Sequence, residues 1–194
     1  HEKFLDFLAD RPLVDGRTCR DLLANPVSGP YGQVKYEYFP PRDYPVDACT
    51  TAGAASKAKH RWCEAVHGTQ VPCVYSIMFH GRIAESFDED LHDAAEGCPG
   101  VYCHGADPEV GKKDTRPKAL NYIIWDHMFN DGTLYAVTFD LEVDRNATGC
   151  GTSGKDRDQW YQPFNSCKIS HLNVYAVHAS DMLNSQWYRA EWNP

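Results

Sequence analysis

Alternation of apolar and polar side chains is the main periodicity along this chain, and it predicts strands more often than helices. β-Branched and aromatic residues are enriched in the alternating segments, and clusters of Pro and Gly separate them. The segments that we predict to be strands are Val34–Phe39, Val71–Phe79, Asn121–Trp125, Thr133–Val143 and Cys167–Val177.

Helical signals are fewer. The segment Thr51–His67 is rich in Ala, begins with a pair of Thr residues and stops before Gly68, so we predict a helix there. The acidic stretch Phe87–Glu96 predicts a second, short helix. The segment Glu2–Leu8 fits either a first strand or a helix.

Many strands, long loops and few helices predict a mostly β protein. We expect an immunoglobulin-like or fibronectin-like antiparallel β-sandwich, with long disulfide-pinned loops and one or two short helices. The chain has 194 residues, enough for one sizeable core, and contains no internal repeat or linker. Residues 1–194 are therefore predicted to form a single domain.

The cysteines indicate an oxidising compartment. There are eight, and none stands in a C-x-x-C pair or at zinc-finger spacing, which predicts up to four disulfides rather than a thiolate metal site. The chain starts with His1 instead of Met, so we expect a removed signal peptide and secretion. The triplet that begins at Asn146 is a glycosylation acceptor, in keeping with a secreted glycoprotein.

Net charge and hydropathy limit the classes of binding partner that we expect. The formal net charge of −8 disfavours nucleic acid, and no apolar stretch is long enough to span a membrane. We therefore expect neither partner, and a monomer. One basic loop departs from the acidic background and is either solvated or a docking patch for an acidic polymer. Its basic residues are Lys112, Lys113, Arg116 and Lys118.

An N-terminal histidine has a chemistry that no internal histidine shares. Its α-amine and its ring Nδ1 can chelate one metal ion together. Cu(II) binds such nitrogens well and prefers a tetragonal arrangement. A further imidazole from elsewhere in the chain would complete a three-nitrogen site with His1.

The most specific local pattern lies near the C-terminus, where Gln162-Pro163-Phe164 precedes Cys167 and a predicted strand. A turn with the sequence Gly149-Cys150-Gly151 comes before it. With His1, this pattern resembles the lytic polysaccharide monooxygenases, which are secreted copper enzymes that begin with His. The nearest resemblance is to the oomycete group that acts on pectin.

The resemblance implies the parts of a site. His1 and His80, at the end of a predicted strand, would bind one copper ion. Phe164 would occupy the axial position, where it cannot ligate, and Gln162 would orient bound oxygen species. The co-substrate would be O₂ or H₂O₂, with an external electron donor. Rival residues remain open: His127, followed by His104, for His80, and Tyr161 for Phe164.

The expected function is that of a secreted copper-dependent monooxygenase that cleaves glycosidic bonds of a plant cell-wall polysaccharide. Pectin (homogalacturonan) is the first expectation for the substrate, with cellulose or chitin as alternatives. Two other functions use the same sequence features: a copper-binding protein without oxidase activity, and a disulfide-rich pathogen effector without metal.

Overall fold

The computed structural model describes residues 1–29, 32–41, 62–85, 100–105, 119, 129–145, 147, 151–152 and 159–182. The helices in these ranges are α1 (Glu2–Ala9), α2 (Cys73–His80) and α3 (Ala179–Met182), with 3₁₀ turns at Cys19–Leu22 and Phe164–Ser166. The strands are β1 (Leu23–Ser28), β2 (Val34–Tyr38), β3 (Trp62–Thr69), β4 (Val101–Gly105), β5 (Thr133–Asp144), β6 (Gly151–Thr152), β7 (Gln159–Gln162) and β8 (Cys167–His178).

The described strands form one antiparallel sheet in the order β1-β2-β8-β5-β3-β4-β7-β6. Its centre is the long pair β5 and β8, which runs from Thr133 opposite His178 to Val143 opposite Cys167. A bulge between Asp140 and Leu141 interrupts this pair. The prediction of a mostly β, antiparallel fold with few short helices is confirmed.

The sheet must curl back on itself between β7 and β8. These strands occupy the seventh and third positions of the sheet, which in a flat sheet would be about 19 Å apart. Only the four residues between Gln162 and Cys167 connect them, and part of this link is a 3₁₀ turn. An extended chain of that length reaches about 18 Å at most, and a helical turn shortens it. The curl is consistent with a β-sandwich.

One face of the sheet is covered by α1 and α2. Phe4 on α1 stacks on Tyr135 of β5 with ring centroids 6.0 Å apart, and the Tyr38 hydroxyl donates to the Met78 carbonyl of α2 at 2.9 Å. Buried side chains from both helices and from the central strands form one apolar cluster. It includes Phe4, Leu8, Tyr36, Val74, Met78, Val137, Phe139, Leu172 and Val174.

The predicted strand Val71–Phe79 is wrong, because this segment contains α2. Val74, Ile77 and Met78 are buried, which is the i, i+3, i+4 spacing of one helix face. Gly81 ends the helix with φ of 65°, in the left-handed region that glycine adopts without strain. His80 therefore lies at the end of a helix, not of a strand.

The predicted helix Thr51–His67 is wrong in its last part. Its C-terminal end belongs to β3, which pairs with β5 from Trp62 opposite Asp144 to Thr69 opposite Val137. Long-range pairing overrides the local helical preference here. Residues 51–61 lie outside the described residues.

The remaining secondary-structure predictions are confirmed where the structure describes the residues. The strands predicted at Val34–Phe39, Thr133–Val143 and Cys167–Val177 are confirmed with small changes at their ends, and Glu2–Leu8 is helical. Asn121–Trp125, Phe87–Glu96 and Asn146 lie outside the described residues.

The predicted disulfide framework stays a prediction. Cys19 and Cys103 are buried thiols, and burial raises the pKa of Cys19 to about 11 and that of Cys103 to about 12. Cys63 and Cys167 both pair with Val143, from opposite sides. Two strand spacings separate them, about 10 Å, which exceeds the Cα distance that a disulfide between them allows. Cys49, Cys98 and Cys150 lie outside the described residues.

Among the described residues, no helix has the length and apolar character needed to cross a membrane.

Leu172→Ala tests the apolar cluster. Leu172 is fully buried between Tyr36 of β2 and Phe139 of β5, so its truncation should lower the free energy of unfolding by about 2–5 kcal/mol. Val27→Ala on β1 is the control, because Val27 is 54% exposed and should change stability by only about 0.5 kcal/mol. Urea titration measures both variants. Equal effects would contradict the burial of Leu172 in the apolar cluster.

Candidate metal centre

His1 lies at the first turn of α1, and two contacts hold this turn against the sheet. The Leu5 amide donates to the His1 carbonyl at 3.1 Å, which starts the helix. The Lys3 ammonium forms an ion pair with Asp131, and Phe4 stacks on Tyr135. The apolar positions Phe4, Leu5 and Leu8 form the buried stripe of α1. The position of His1 therefore follows from the amphipathic pattern of the residues after it.

The His1 imidazole has one buried polar atom. Its Nδ1 is out of contact with solvent and has no hydrogen-bond partner, and the ring does not cap α1. A buried polar group without a partner costs about 1–3 kcal/mol. This nitrogen is the ring atom that can chelate a metal together with the α-amine, so the chemistry of His1 fits a metal ligand.

Lys3 and Asp131 locate His1 on the sheet. Asp131 stands just before β5, and its Oδ1 accepts a hydrogen bond of 3.0 Å from the Thr133 amide. Thr133 is opposite His178 at the end of β8. The His178 Nδ1 lies 2.7 Å from the Ser180 hydroxyl. His178 is thus a described imidazole at the same end of the sheet as His1, and only the register of β5 and β8 could reveal it.

His80 is exposed at the C-terminal end of α2, and its ring contacts the Phe79 ring edge-on with centroids 5.2 Å apart. Met78, two residues earlier, accepts the hydrogen bond from Tyr38. Tyr38 follows Glu37, and Glu37 is opposite His171 on β8.

The two predicted ligands are held by different contacts. Lys3 and Phe4 attach the start of α1 to Asp131 and Tyr135, whereas Met78 on α2 accepts its hydrogen bond from Tyr38. The pairing of His1 with His80 in one metal site stays a prediction.

Phe164, the residue predicted for the axial position, contacts the segment that follows α2. The Phe164 amide donates to Glu85 Oε1 at 2.9 Å, and the Arg82 guanidinium lies 4.7 Å from the centre of the Phe164 ring. Both partners belong to the segment that follows α2. The Phe164 ring therefore lies beside a cation from that segment, and its backbone amide is bonded to a carboxylate from the same segment.

Gln162 is buried in the same region. Its Oε1 accepts a hydrogen bond from the Ser166 hydroxyl at 3.3 Å, and its Nε2 is buried without a hydrogen-bond partner. Tyr161, the rival of Phe164, is half-buried on β7, 6.3 Å between ring centroids from Tyr102 on β4. The structure thus joins the Gln162–Phe164 block to the end of α2.

Of the remaining candidate site residues, some lie in the described ranges and others lie outside them. The buried His104 lies on β4, opposite Gln159 of β7. Sequence reasoning placed His67 in a helix, whereas it lies on β3 with Nδ1 2.7 Å from the Tyr102 carbonyl, and burial lowers its pKa. His127, Lys112, Lys113, Arg116 and Lys118 lie outside the described residues.

The fit to copper is therefore partial. His1 offers a buried nitrogen suited to chelation, and His80 as its partner stays a prediction. In the described ranges, no group of three or more His, Cys, Asp or Glu side chains is arranged to hold a metal ion. No family model and no curated protein sequence matches the chain.

Asp131→Asn tests the ion pair that holds the start of α1. The hydrogen bond from the Lys3 ammonium, followed by that from the Thr133 amide, lowers the pKa of Asp131 to about 2. An unfolded Asp titrates near 3.9, so the stabilisation is complete above about pH 4 and is lost as the pH falls towards 2. We expect the variant to unfold at lower urea than the wild type at pH 6, and the difference to vanish near pH 2.

Asp6→Asn is the matched control, since Asp6 is an exposed carboxylate on the same helix, paired with Arg20. It should have the smaller effect at pH 6. A difference between wild type and Asp131→Asn that does not change between pH 6 and pH 2 would contradict the assigned ion pair.

Proposed function

We propose that this protein is a secreted copper-binding protein in which His1 chelates a single copper ion through its α-amine and Nδ1. The observation that carries the proposal is the buried Nδ1 without a hydrogen-bond partner. A metal would satisfy this atom, and copper is the first-row divalent ion with the highest affinity for nitrogen ligands. When bound, copper would supply one-electron redox chemistry.

Two residues close to His1 position its side chain under this proposal. Lys3 and Phe4 hold the first turn of α1 against β5, so the His1 side chain is positioned before the metal arrives. Prior positioning reduces the entropy lost on binding.

The monooxygenase activity implied by the resemblance is the fuller form of this proposal. This activity would act on a cell-wall polysaccharide, with pectin as the first expected substrate. It would need an external reductant together with O₂ or H₂O₂. It also needs a second imidazole near His1, for which His127 and His178 are the candidates. The positions of Gln162 and Phe164 beside the end of α2 favour the second candidate function, copper binding without oxidase activity.

Extension of the N-terminus tests the chelate. The mature end is first established by N-terminal sequencing of the secreted protein, since the proposal requires a free amine on His1. One added Ala converts that amine to an amide. We expect Cu(II) affinity, measured by calorimetry and electron paramagnetic resonance, to fall by more than the roughly 10- to 100-fold that loss of an outer-shell partner costs. An extended protein with an unchanged spectrum would overturn the proposal.

His80→Ala and His178→Ala form a matched pair, because both residues are exposed imidazoles on the described surface. We expect His80→Ala to leave the Cu(II) spectrum unchanged, because α2 and the start of α1 are held at different residues of the sheet, Tyr38 and Tyr135. A change with His178→Ala, or with His127→Ala, identifies the additional ligand. Loss of the spectrum with His80→Ala would establish His80 as a copper ligand and contradict this expectation.

Turnover separates the two functions. The copper-loaded protein is incubated with ascorbate and homogalacturonan, cellulose or chitin, and the soluble products are analysed by mass spectrometry. Oxidised oligosaccharides that disappear on N-terminal extension would establish the monooxygenase. From the placement of Gln162 and Phe164 we expect copper binding without such products.

A further inference from the structure

The hairpin of β1 and β2 stands at one edge of the described sheet. It joins the other described strands through β2, which pairs with β8 from Val34 opposite Val174 to Glu37 opposite His171. Tyr36 is buried within this pairing and belongs to the apolar cluster. Successive side chains of a strand alternate between the two faces, so the pairing ends, on the face opposite Tyr36, at the titratable side chains of Glu37 and His171.

His171 is half-buried between charged side chains of both neighbouring strands. The charged groups that act on its imidazole belong to β2 and β5: Lys35, Glu37, Asp140 and Glu142. On β8 itself, the Lys168 ammonium lies 3.6 Å from the Glu142 carboxylate and offsets its charge. The junction of β2, β8 and β5 therefore depends on how charge is distributed around one imidazole.

The carboxylates of the two residues paired with His171 already accept hydrogen bonds. Asp140 Oδ2 lies 2.8 Å from the Lys35 ammonium, and Asp140 Oδ1 accepts a bond of 2.8 Å from a side-chain amide of β8. Glu37 Oε2 accepts from the Asn25 Nδ2 at 2.7 Å. A proton added to His171 would thus create a new donor beside occupied acceptors, and a second cation close to Lys35.

A hydrogen bond fixes the tautomer of His171. The hydroxyl of Ser170, the residue at the bulge of β8, donates its one proton to the Asp140 carbonyl at 3.1 Å. The same hydroxyl therefore accepts from His171 Nδ1, which lies 3.0 Å away. The neutral imidazole carries its hydrogen on Nδ1, so an added proton goes to Nε2.

The surroundings of His171 oppose its protonation. Burial, followed by the charge of Lys35, lowers the pKa of His171, whereas the carboxylates of Asp140, Glu37 and Glu142 raise the pKa to a smaller extent. An unfolded His titrates near pH 6.5, so the folded state disfavours the imidazolium. The stability of this junction is complete above about pH 6.5 and is lost as the pH falls towards the lowered pKa.

We infer that His171 is a pH-sensitive switch that loosens the hairpin of β1 and β2 from β8 when its imidazole takes up a proton. The neutral imidazole leaves intact the Lys35–Asp140 ion pair, which joins β2 to β5, and the bond from Asn25 to Glu37, which joins β1 to β2. The imidazolium competes with Lys35 and Asn25 for the two carboxylates. The buried side of β2 stays in the apolar cluster, so the rest of the sheet remains folded. The switch goes beyond the proposed copper function and does not rest on it.

Amide hydrogen exchange on the full chain, in EDTA, tests the inference at pH 7.5 and pH 5.0. Exchange rates are converted to protection factors, which removes the intrinsic effect of pH on exchange. We expect the amides of β2 to lose protection relative to those of β5 at pH 5.0. The loss should reach up to about tenfold for each unit by which the His171 pKa, measured from its imidazole NMR signal, lies below about 6.5.

His171→Asn is the critical variant, because its side-chain amide can still donate to Ser170 but takes up no proton. Its protection of β2 relative to β5 should be the same at both pH values. His178→Asn is the matched control, since it removes an exposed imidazole from the end of the same strand, and it should keep the wild-type response.

Two further variants test the switch without altering His171. Lys35→Met should raise the measured pKa of His171 and Glu37→Gln should lower it, and the pH at which β2 loses protection should follow each shift. The inference is overturned if β2 keeps or gains protection at pH 5.0, if His171→Asn retains the wild-type loss, or if His171 titrates at or above about pH 6.5. Shifts of the pKa in the same direction in Lys35→Met and Glu37→Gln would also contradict it.

Discussion

The long pairing of β5 with β8 is the constraint on which the rest of the molecule depends. It runs from Thr133 opposite His178 to Val143 opposite Cys167, and both strands have their other neighbours on the outer sides. Paired residues share a face, so this register sends Val137, Phe139, Leu172 and Val174 to the helices. A slip by one residue would exchange the two faces, and the apolar cluster makes such a slip costly.

The same register decides where the N-terminus lies. Asp131 lies two residues before the start of β5 at Thr133, and its bond to Lys3 brings the first turn of α1 to this end of the sheet. The stacking of Phe4 on Tyr135 buries the helix stripe next to that bond. The chemistry proposed for His1 therefore depends on two contacts that involve neither of its own nitrogens.

The two faces of the sheet separate two kinds of chemistry. The helix-covered face is apolar, while on the opposite face the Asp140 carboxylate is bonded by Lys35 and Asn173. The bulge between Asp140 and Leu141 lies within this arrangement. It allows Ser170 to donate its hydroxyl hydrogen bond to the Asp140 carbonyl, at 3.1 Å, beside the contact with His171.

By itself, the sequence determined the strands at Val34, Thr133 and Cys167 and the chelating chemistry of His1, because these follow from local alternation and from residue type. It also contained the helix spacing of Val74, Ile77 and Met78, which an apolar run with β-branched residues obscured. Only the tertiary structure decided that Trp62–His67 forms a strand and that Lys35, Asp140 and Asn173 meet. Each depends on the register between strands far apart in the chain, and local patterns carry no information on that register.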